Sequence, residues 1–410
     1  MKKNFYFVMA AVAAMSMASC SQDEMPSVNE IAKQDAGPVE LGVSQIGLEK
    51  ATTRSGISGT AFSGTESVGV FIFDSSISSG AAQSADNYLK GSVTTPTLNV
   101  KYQRTQHGAE PPYTYSWDAD DPIILSTTVG KVYAYYPWTT GYTDATAIPV
   151  SVAADQGTGQ SDGTADANGQ TDFMWASVVN GGNSVNAFSN ASGDINHQAK
   201  LTMNHALAMI SFTFQQATGA DGANALYPGL GQVSSIVLKN KASNTQHVIK
   251  TGDSTMDIND GSLALTRAAA NDANTITVAP TSGRDSNGSN MVENGTVVGT
   301  GNMADGSTAY TQDKQARVLV YPFVDTTNGL LANEVQAVIT IDGSVYTIDL
   351  PAITPDGVNE WKNGWVPGNN YLYTFTLKGT ALEVTSVTIT DWIQQAGGSG
   401  DIKTPDPIVP

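Results

Sequence analysis

Short segments in which apolar and polar residues alternate recur along the chain, and helical periodicity is nearly absent. A period of two places successive side chains on opposite faces of a strand, so each segment predicts a β-strand with one buried face. Turn residues separate these segments, as is usual in all-β proteins. The predicted strands lie at 68–73, 122–125, 131–137, 201–214, 233–238, 317–321, 335–341, 345–350, 371–377 and 382–389.

The first alternating segment carries a change of phase. Its apolar residues are Val39, Leu41 and Val43 in one phase, then Ile46 and Leu48 in the other. A β-bulge, which adds one residue to a strand, produces such a shift. We therefore predict a single bulged strand, followed by a loop of small residues that contains Arg54 and Ser55.

Turn signals divide the rest of the chain. Asp342-Gly343 between two alternating runs predicts a hairpin over 335–346. The turn signal Tyr227-Pro228-Gly229 predicts a domain boundary. A chain of 410 residues suits two domains, and many short strands favour β-sandwiches. We therefore predict an all-β protein of two tandem β-sandwich domains. The predicted division is a signal peptide at 1–19, an acidic tether at 20–37, an N-terminal domain at 38–228, a C-terminal domain at 229–396 and a flexible tail at 397–410.

The N-terminus has the parts of an export signal. Two lysines precede the apolar run 5–18, which is too short for a membrane-spanning helix. Met17-Ala18-Ser19-Cys20 resembles the lipobox of bacterial lipoproteins, in which the cysteine starts the mature chain and carries acyl groups. Cys20 is the single cysteine, which excludes an intrachain disulfide and a cysteine metal cluster. We expect a lipoprotein that acyl chains hold at the membrane.

Charge and composition exclude some partners. Lys and Arg number 20 against 38 Asp and Glu, a formal net charge of −18. No basic field would therefore attract nucleic acid or an anionic membrane surface. The 40% of hydrophobic residues is enough for packed cores. The acidic residues directly after Cys20 are typical either of a surface-export signal or of a solvated tether.

Catalytic and metal-binding motifs with the required spacing are absent from the sequence. Asp118, Asp120 and Asp121 cluster, and glycoside hydrolysis uses paired carboxylates, but acidic turns are far commoner. His205 is interpreted as a strand residue that makes a structural hydrogen bond. We predict no enzymatic activity, no catalytic residue, no metal site and no cofactor.

Residues 151–170 are rich in Gly, Ser, Asp and Thr and predict a long surface loop. Part of this stretch is similar to a calcium-binding loop. Aligned as an EF-hand, however, it starts at Thr164 and ends at Trp175, where Asp and Glu are required. The match to an EF-hand fails, and a weak calcium site in this loop is left open without support from the sequence.

Aromatic residues crowd between positions 113 and 138. Exposed aromatic rings can stack on sugars, whereas buried ones supply the apolar area of a core. The sequence favours packing but leaves both open, so the alternative function is a surface lipoprotein that binds glycans. The residues are Tyr113, Tyr115, Trp117, Tyr133, Tyr135, Tyr136 and Trp138.

Short motifs follow one another in a specific order from about residue 39 to Trp392. After the lipobox, the first strand and the arginine loop come Val68-Gly69-Val70-Phe71, Asp86-Asn87-Tyr88, Tyr133-Ala134-Tyr135-Tyr136-Pro137, Thr171-Asp172-Phe173-Met174-Trp175-Ala176, Leu201-Thr202-Met203-Asn204-His205-Ala206-Leu207-Ala208, Met256-Asp257-Ile258-Asn259-Asp260-Gly261 and Pro367-Gly368-Asn369-Asn370-Tyr371. In this order and spacing they resemble the fimbrillin-like family, the subunits of type V pili.

The resemblance implies a pilin with two transthyretin-like β-sandwich domains, exported as an outer-membrane lipoprotein and then assembled into a cell-surface fimbria. It implies an arginine-specific protease that cuts a loop in the N-terminal domain, followed by head-to-tail polymerisation with other pilin subunits through donor-strand exchange. Arg54 and Ser55 fit the cut, because Arg54 alone of five arginines follows the first strand in a small-residue loop. The released strand would carry Val39, Leu41, Val43, Ile46 and Leu48.

The donor in this family is the C-terminal segment of a neighbouring subunit. The residues Leu382, Val384, Val387 and Ile389 either line the acceptor groove as that donor or form the last strand of the C-terminal domain. The tail 401–410 has three prolines, each without the N–H that a strand needs. A shaft, anchor or tip position and the ligand on a host or bacterial surface are left open.

Overall fold

The structure, a computed structural model, describes residues 39–48, 66–76, 88, 98–108, 114–156, 170–190, 197–216, 233–278 and 316–391. These residues form strands together with two short 3-10 helices, Ala269–Asn271 and Glu360–Lys362. Within these stretches the structure contains no helix that could span a bilayer. The all-β prediction is confirmed. The strands are, in chain order, β1 (Val39–Glu40), β2 (Gly42–Leu48), β3 (Ser67–Asp74), β4 (Val100–His107), β5 (Thr114–Asp118), β6 (Ile124–Leu125), β7 (Gly130–Tyr136), β8 (Ile148–Val152), β9 (Asp155–Gln156), β10 (Met174–Asn180), β11 (Gln198–His205), β12 (Ala208–Gln216), β13 (Val233–Asn240), β14 (Gly252–Met256), β15 (Thr275–Val278), β16 (Ala316–Val320), β17 (Phe323–Val324), β18 (Val335–Ile341), β19 (Ser344–Asp349), β20 (Gly364–Trp365), β21 (Asn369–Lys378) and β22 (Ala381–Asp391).

Seven strands of the N-terminal half close into a barrel. Their order is β10-β11-β2-β5-β4-β3-β7, and the pairing of β7 with β10 completes the ring. Alternation along the strands supplies the core: in β11 every second residue is buried, and those between are more exposed. The strands predicted as one sandwich are therefore joined in a continuous hydrogen-bonded ring. The barrel core includes Val68, Val70, Ile72, Val100, Tyr102, Val132, Ala134, Met174, Ala176, Leu201 and Met203.

Two further sheets enclose a second core, as predicted for a sandwich. One sheet has the order β16-β12-β21-β22 and the other β19-β18-β13-β15-β9. Aromatic rings in the first sheet lie against one another, with the ring centroid of Phe212 6.3 Å from that of Tyr373 and 6.0 Å from that of Phe375. Ile236 and Ile339 contribute from the second sheet.

The chain changes sheet between β11 and β12. The segment predicted as one alternating run at 201–214 is two strands, separated by Ala206 and Leu207. β11 belongs to the barrel, whereas β12 pairs with β16 and β21 in the sandwich. β12 precedes the predicted domain boundary between residues 228 and 229, which lies outside the described residues and stays a prediction.

Residues before β10 also contribute to the C-terminal half. β8 pairs with β14, and β9 adds to the five-stranded sheet beside β15. The side-chain amide of Gln156 donates to the carbonyl oxygen of Leu319 at 2.7 Å, and its oxygen accepts from the Leu319 amide at 2.9 Å. Residues 151–156 are therefore folded, which corrects the predicted surface loop, while 157–169 lie outside the described residues.

The predicted hairpin is confirmed. β18 and β19 pair up to Ile341 and Ser344, and the turn between them is Asp342-Gly343 with φ values of 48° and 79°. A two-residue type I′ turn needs positive φ at both positions, which Asp-Gly tolerates. The strands that were not predicted include β4, β5, β8, β10, β14 and β15. In β4, β5 and β14 polar residues interrupt the alternation.

Candidate functional site

The first strand fills a gap in the barrel wall. β2 runs parallel to β11 on one side and meets β5 on the other through the pair Val43 and Trp117. Ahead of β2, the Leu41 amide donates to the carbonyl oxygen of Ile123 at 2.8 Å. Removal of residues 39–48 would leave the edges of β11 and β5 without a strand between them, and unpaired edges are templates for another strand.

The predicted bulge lies at Ser44. Val43 pairs with Ala199 and Gln45 with Lys200, so Ser44 is an extra residue without a partner of its own. The Ser44 hydroxyl donates to the Ala199 carbonyl oxygen at 3.5 Å. The bulge reconciles the two phases of the sequence, because it returns Ile46 to the inner face, where it is buried. This prediction is confirmed.

Three apolar side chains anchor β2 in the barrel core. Leu41, Val43 and Ile46 are 1%, 5% and 8% exposed. Full burial of each such side chain contributes about 1.5–3 kcal/mol. Val39 is half-buried, and the side chain of Leu48 lies outside the described part of the chain. A few buried side chains therefore hold the strand in place, and side chains of similar size and shape on another strand could fill the same positions.

Tyr102 on β4 fastens this strand from inside the barrel. Its buried hydroxyl donates to the carbonyl oxygen of Leu41 at 2.6 Å. Burial raises the pKa of the Tyr102 hydroxyl far above its ordinary value, so the group stays a donor. The sequence carries no signal for this role of Tyr102, because Tyr102 lies 61 residues from Leu41 and no local pattern connects them.

Replacing Tyr102 with phenylalanine is expected to loosen the first strand while keeping its pocket filled. The variant leaves the Leu41 carbonyl without its donor, and one such hydrogen bond contributes about 0.5–1.5 kcal/mol. Urea denaturation should show a free energy of unfolding lower by that amount. Tyr346→Phe on β19 is the control, since the half-buried Tyr346 makes no hydrogen bond through its hydroxyl to another described residue. Equal losses in both variants would contradict the role of Tyr102.

The predicted lipidation and processing residues Cys20, Arg54 and Ser55 lie outside the described residues. Arg54 belongs to the stretch 49–65 that connects β2 to β3. In the sequence, Arg54 therefore follows the first strand, and its accessibility to a protease stays a prediction.

Three of the other four arginines lie in folded parts of the chain. Arg267 is largely buried, and its guanidinium donates to the carbonyl oxygen of Pro322 at 2.7 Å. Arg104 lies in β4 and Arg317 in β16. Since proteases cut exposed loops in preference to hydrogen-bonded strands, these three are poor processing sites. Arg284 lies outside the described residues.

The predicted donor residues lie in β22, the last strand of the four-stranded sheet. β22 pairs with β21 along its whole length, and its other edge has no strand partner in the described part of the chain. Leu382, Val387 and Ile389 are buried in the second core, and Val384 packs against it. The sequence left two alternatives for these residues, a donor strand for a neighbouring subunit or the last strand of the C-terminal domain. Within the single chain, β22 is the last strand of its own sheet.

The aromatic residues between 113 and 138 do not form one surface. Trp117 and Tyr136 pack against the barrel core, whereas Tyr133, Tyr135 and Trp138 belong to the second core. Among the described members, Tyr115 is exposed at 44%, and the guanidinium carbon of Arg104 lies 3.5 Å from its ring centroid. Tyr113 lies outside the described residues. The arrangement favours packing over a sugar-binding platform.

The acidic cluster lies on an exposed turn. The Ser116 hydroxyl donates to the Asp118 carboxylate at 2.7 Å and holds the pKa of Asp118 below its usual value. Asp120 and Asp121 are exposed. A glycosidase acid needs a carboxyl group whose pKa is raised, so Asp118 has the opposite tendency.

His205 makes the predicted structural contact. Its Nδ1 lies 3.1 Å from the Asp172 Oδ1, and both side chains are buried. In the described stretches no group of three or more His, Cys, Asp or Glu side chains could hold a metal ion. Thr164, at the start of the proposed calcium alignment, lies outside the described residues, and Trp175 lies in β10.

A family model described as fimbrillin-like matches residues 53–392. The comparison with curated proteins gives no match.

The solved structures that match this chain include proteins from Bacteroides and Parabacteroides species. A candidate cell adhesion protein from Bacteroides uniformis is 16% identical, with 87% of this chain and 99% of that chain covered and a TM-score of 0.47. A second candidate cell adhesion protein, from Bacteroides ovatus, is 14% identical, with 88% and 99% covered and a TM-score of 0.47. A fimbrial assembly protein from Parabacteroides distasonis is 9% identical, with 86% and 96% covered and a TM-score of 0.36.

Proposed function

The chain belongs to the fimbrillin-like family, and we propose that it is a structural subunit of a surface fimbria, a type V pilus, that supports adhesion. In this proposal the precursor is an outer-membrane lipoprotein acylated on Cys20. It is cleaved between Arg54 and Ser55 and then polymerises with other subunits by donor-strand exchange. The observation that carries the proposal is the place of β2 in the barrel wall.

Cleavage after Arg54 would change how β2 is held. Before the cut, the strand is covalently continuous with the rest of the barrel, and afterwards non-covalent contacts alone retain it. Its departure would expose the pockets of Leu41, Val43 and Ile46 and the edges of β11 and β5. Such a barrel has an apolar groove and two strand edges, which together favour capture of a strand from another chain.

An incoming strand would restore both kinds of contact at once. Its backbone would pair with β11, and alternate side chains would fill the emptied pockets. Several buried anchors, each contributing about 1.5–3 kcal/mol, would make dissociation very slow, as a fibre requires. The contact is head-to-tail, because the groove and the donor are different surfaces, so it extends into a filament and does not close as a symmetric dimer.

The C-terminal strand β22 supports the choice of donor. It is an edge strand, so its departure would break one ladder, with β21, and would not divide a sheet. The hydrogen bonds lost there would be regained against β11 of the next subunit. Leu382, Val384, Val387 and Ile389 would then be the donor side chains.

The lipid anchor and the cut flank the first strand in the sequence, with Cys20 before β2 and Arg54 after it. Acyl chains on Cys20 would hold the precursor at the outer membrane by burying their methylenes. Cleavage after Arg54 would leave residues 20–54 with the anchor and free the rest of the chain. A processed subunit would then stay on the surface through its neighbours in the fimbria.

The experiment that tests the proposal is cleavage of purified precursor carrying Cys20→Ser with an arginine-specific protease. We expect a new N-terminus at Ser55 and a ladder of oligomers that resist SDS. Arg54→Ala should remain uncut and monomeric, since the covalent link keeps β2 in place. Arg104→Ala, which changes an arginine in β4, is the matched control and should polymerise normally. A cleaved chain that stays monomeric would argue against the pilin assignment.

A further inference from the structure

A cleft of about 330 Å³ lies between the barrel and the strand pair β8 and β14, which packs on the second core. Three segments line it: the stretch between β7 and β8, the pair β8 and β14 itself, and the residues that lead into β10. Small-molecule sites in proteins occupy about 300–1,000 Å³, so one small ring fits this space.

One wall of the cleft is the outer face of β8 and β14. Along β8, Val150 is buried in the second core, whereas Pro149 and Ser151 lie on the opposite, more exposed face. Asp253 of β14 pairs with Ser151, and directly paired residues place their side chains on the same face. The exposed Asp253 carboxylate makes no hydrogen bond or ion pair with another described residue. This wall therefore presents a hydroxyl group beside an unpartnered carboxylate.

Two half-buried aromatic rings also line the cleft. They belong to Tyr142, between β7 and β8, and to Phe173, just before β10. The ring centroid of Tyr142 lies 6.0 Å from that of the buried Tyr135, whose hydroxyl accepts from the Thr139 amide at 3.2 Å. The Tyr142 hydroxyl makes no hydrogen bond to another described residue. Both rings thus keep part of their surface for a ligand.

Buried polar side chains hold the lining in place. The side-chain amide of Gln170 donates to the carbonyl oxygens of Ser151 at 2.9 Å and Thr171 at 2.7 Å, which ties β8 to the segment before β10. The Tyr321 hydroxyl donates to the carbonyl oxygen of Gly252 at 2.7 Å, at the start of β14. Because these contacts fix the walls in advance, a ligand would not have to order them on binding.

The chemistry of the lining selects among ligand classes. Lys, Arg and His are absent from the described residues that line the cleft, so an anion would meet Asp253 without a compensating charge. A wholly apolar ligand would leave the hydroxyls of Tyr142 and Ser151 and the carboxylate unpaired. An ammonium group would pair with the carboxylate but has no acceptor for the hydroxyl donors. A neutral ring with several hydroxyl groups both donates and accepts, and its C–H face can pack on an aromatic ring.

We infer that this cleft binds a neutral hexopyranose ring of a glycan. Asp253 accepts hydrogen bonds from the sugar hydroxyls, and Tyr142 and Phe173 pack against the apolar face of the ring. As a ligand for adhesion, the glycan rests on the proposed function, whereas the binding itself requires neither cleavage after Arg54 nor strand exchange. Both rings lie outside the aromatic set between positions 113 and 138, so the site is a different one from the alternative that the sequence left open.

The test is NMR titration of uncleaved precursor carrying Cys20→Ser with the methyl glycosides of glucose, galactose and mannose. The uronic acid and the protonated amino sugar of each ring are the charged counterparts. We expect at least one neutral glycoside to bind in the millimolar range that so small a ligand permits, and at least tenfold more tightly than its charged counterparts. Absence of binding by all three neutral glycosides, or equal binding by a charged counterpart, would overturn the inference.

Variants locate the bound sugar on the chain. Asp253→Asn and Tyr142→Ala should each weaken binding at least tenfold, and urea denaturation checks that each remains folded. The matched controls are Asp121→Asn and Tyr115→Ala, an exposed aspartate and an exposed tyrosine outside the lining, which should bind within about twofold of the unsubstituted chain. Equal losses in controls and cleft variants would overturn the site. Sugar binding by a chain that stays monomeric after cleavage would support the cleft and reject the proposed assembly.

Discussion

Cross-linking β2 to β11 through the double substitution Val43→Cys and Ala199→Cys is expected to abolish polymerisation while leaving the cut after Arg54 intact. Val43 and Ala199 are direct partners in the parallel ladder. Neighbouring strands lie about 4.7–4.9 Å apart, within the range of Cα separations that a disulfide spans. With the strand held covalently, the groove stays occupied and no donor can enter. In a Cys20→Ser background, non-reducing SDS gels should show a single cleaved monomer with its N-terminal peptide attached.

Reduction of this disulfide should restore the oligomer ladder in the same sample. The matched control is Val178→Cys with Leu201→Cys, which joins two strands, β10 and β11, that stay in the barrel throughout. It should ladder as the unsubstituted chain does under oxidising conditions. Normal laddering of the oxidised 43–199 variant would mean that β2 does not leave, and the proposed assembly mechanism would be wrong.

The largest loss of stability is expected from Phe212→Ala. Phe212 is fully buried, and its ring lies among those of Tyr373 and Phe375 where β12 and β21 run side by side. Truncation of a buried phenylalanine costs about 3–5 kcal/mol through lost transfer energy and the cavity left behind. Urea denaturation followed by tryptophan fluorescence should report a loss of this size, because Trp365 is buried in the same core.

Val358→Ala provides the comparison for this effect. Val358 is 83% exposed, so its truncation should change the free energy of unfolding by no more than about 0.5 kcal/mol. A loss below about 1 kcal/mol would mean that the core around Phe212 is not packed as the structure describes.

Local features of the fold could be predicted from the sequence because the residues that cause them are neighbours in the chain. The Asp342-Gly343 turn lies between two strands that pair directly. The change of phase between Val43 and Ile46 indicates a bulge between them without knowledge of the partner strand, and the pairing with β11 assigns it to Ser44. In both cases the backbone geometry follows from a few consecutive residues.

The division of the chain between two cores could not be predicted in the same way. The alternation at 201–214 continues with only a short interruption while the chain passes from the barrel to the sandwich. β8 and β9 join the C-terminal half although β10 and β11, which follow them, return to the barrel. An apolar strand face must be buried, but the sequence of that strand does not specify the sheet against which it packs.

The candidate site also has features that the sequence predicts and features that depend on the tertiary structure. The sequence by itself determined the apolar anchors of the first strand, its bulge and its place before an arginine, because these are properties of one short segment. Only the tertiary structure decided that β11, 155 residues away from the bulge, is its neighbour and that Tyr102 holds it from inside the barrel. Pairing between distant strands depends on which parts of the folded chain bury each apolar face. A local sequence pattern shows that a face is apolar, but it does not show which strand packs beside it.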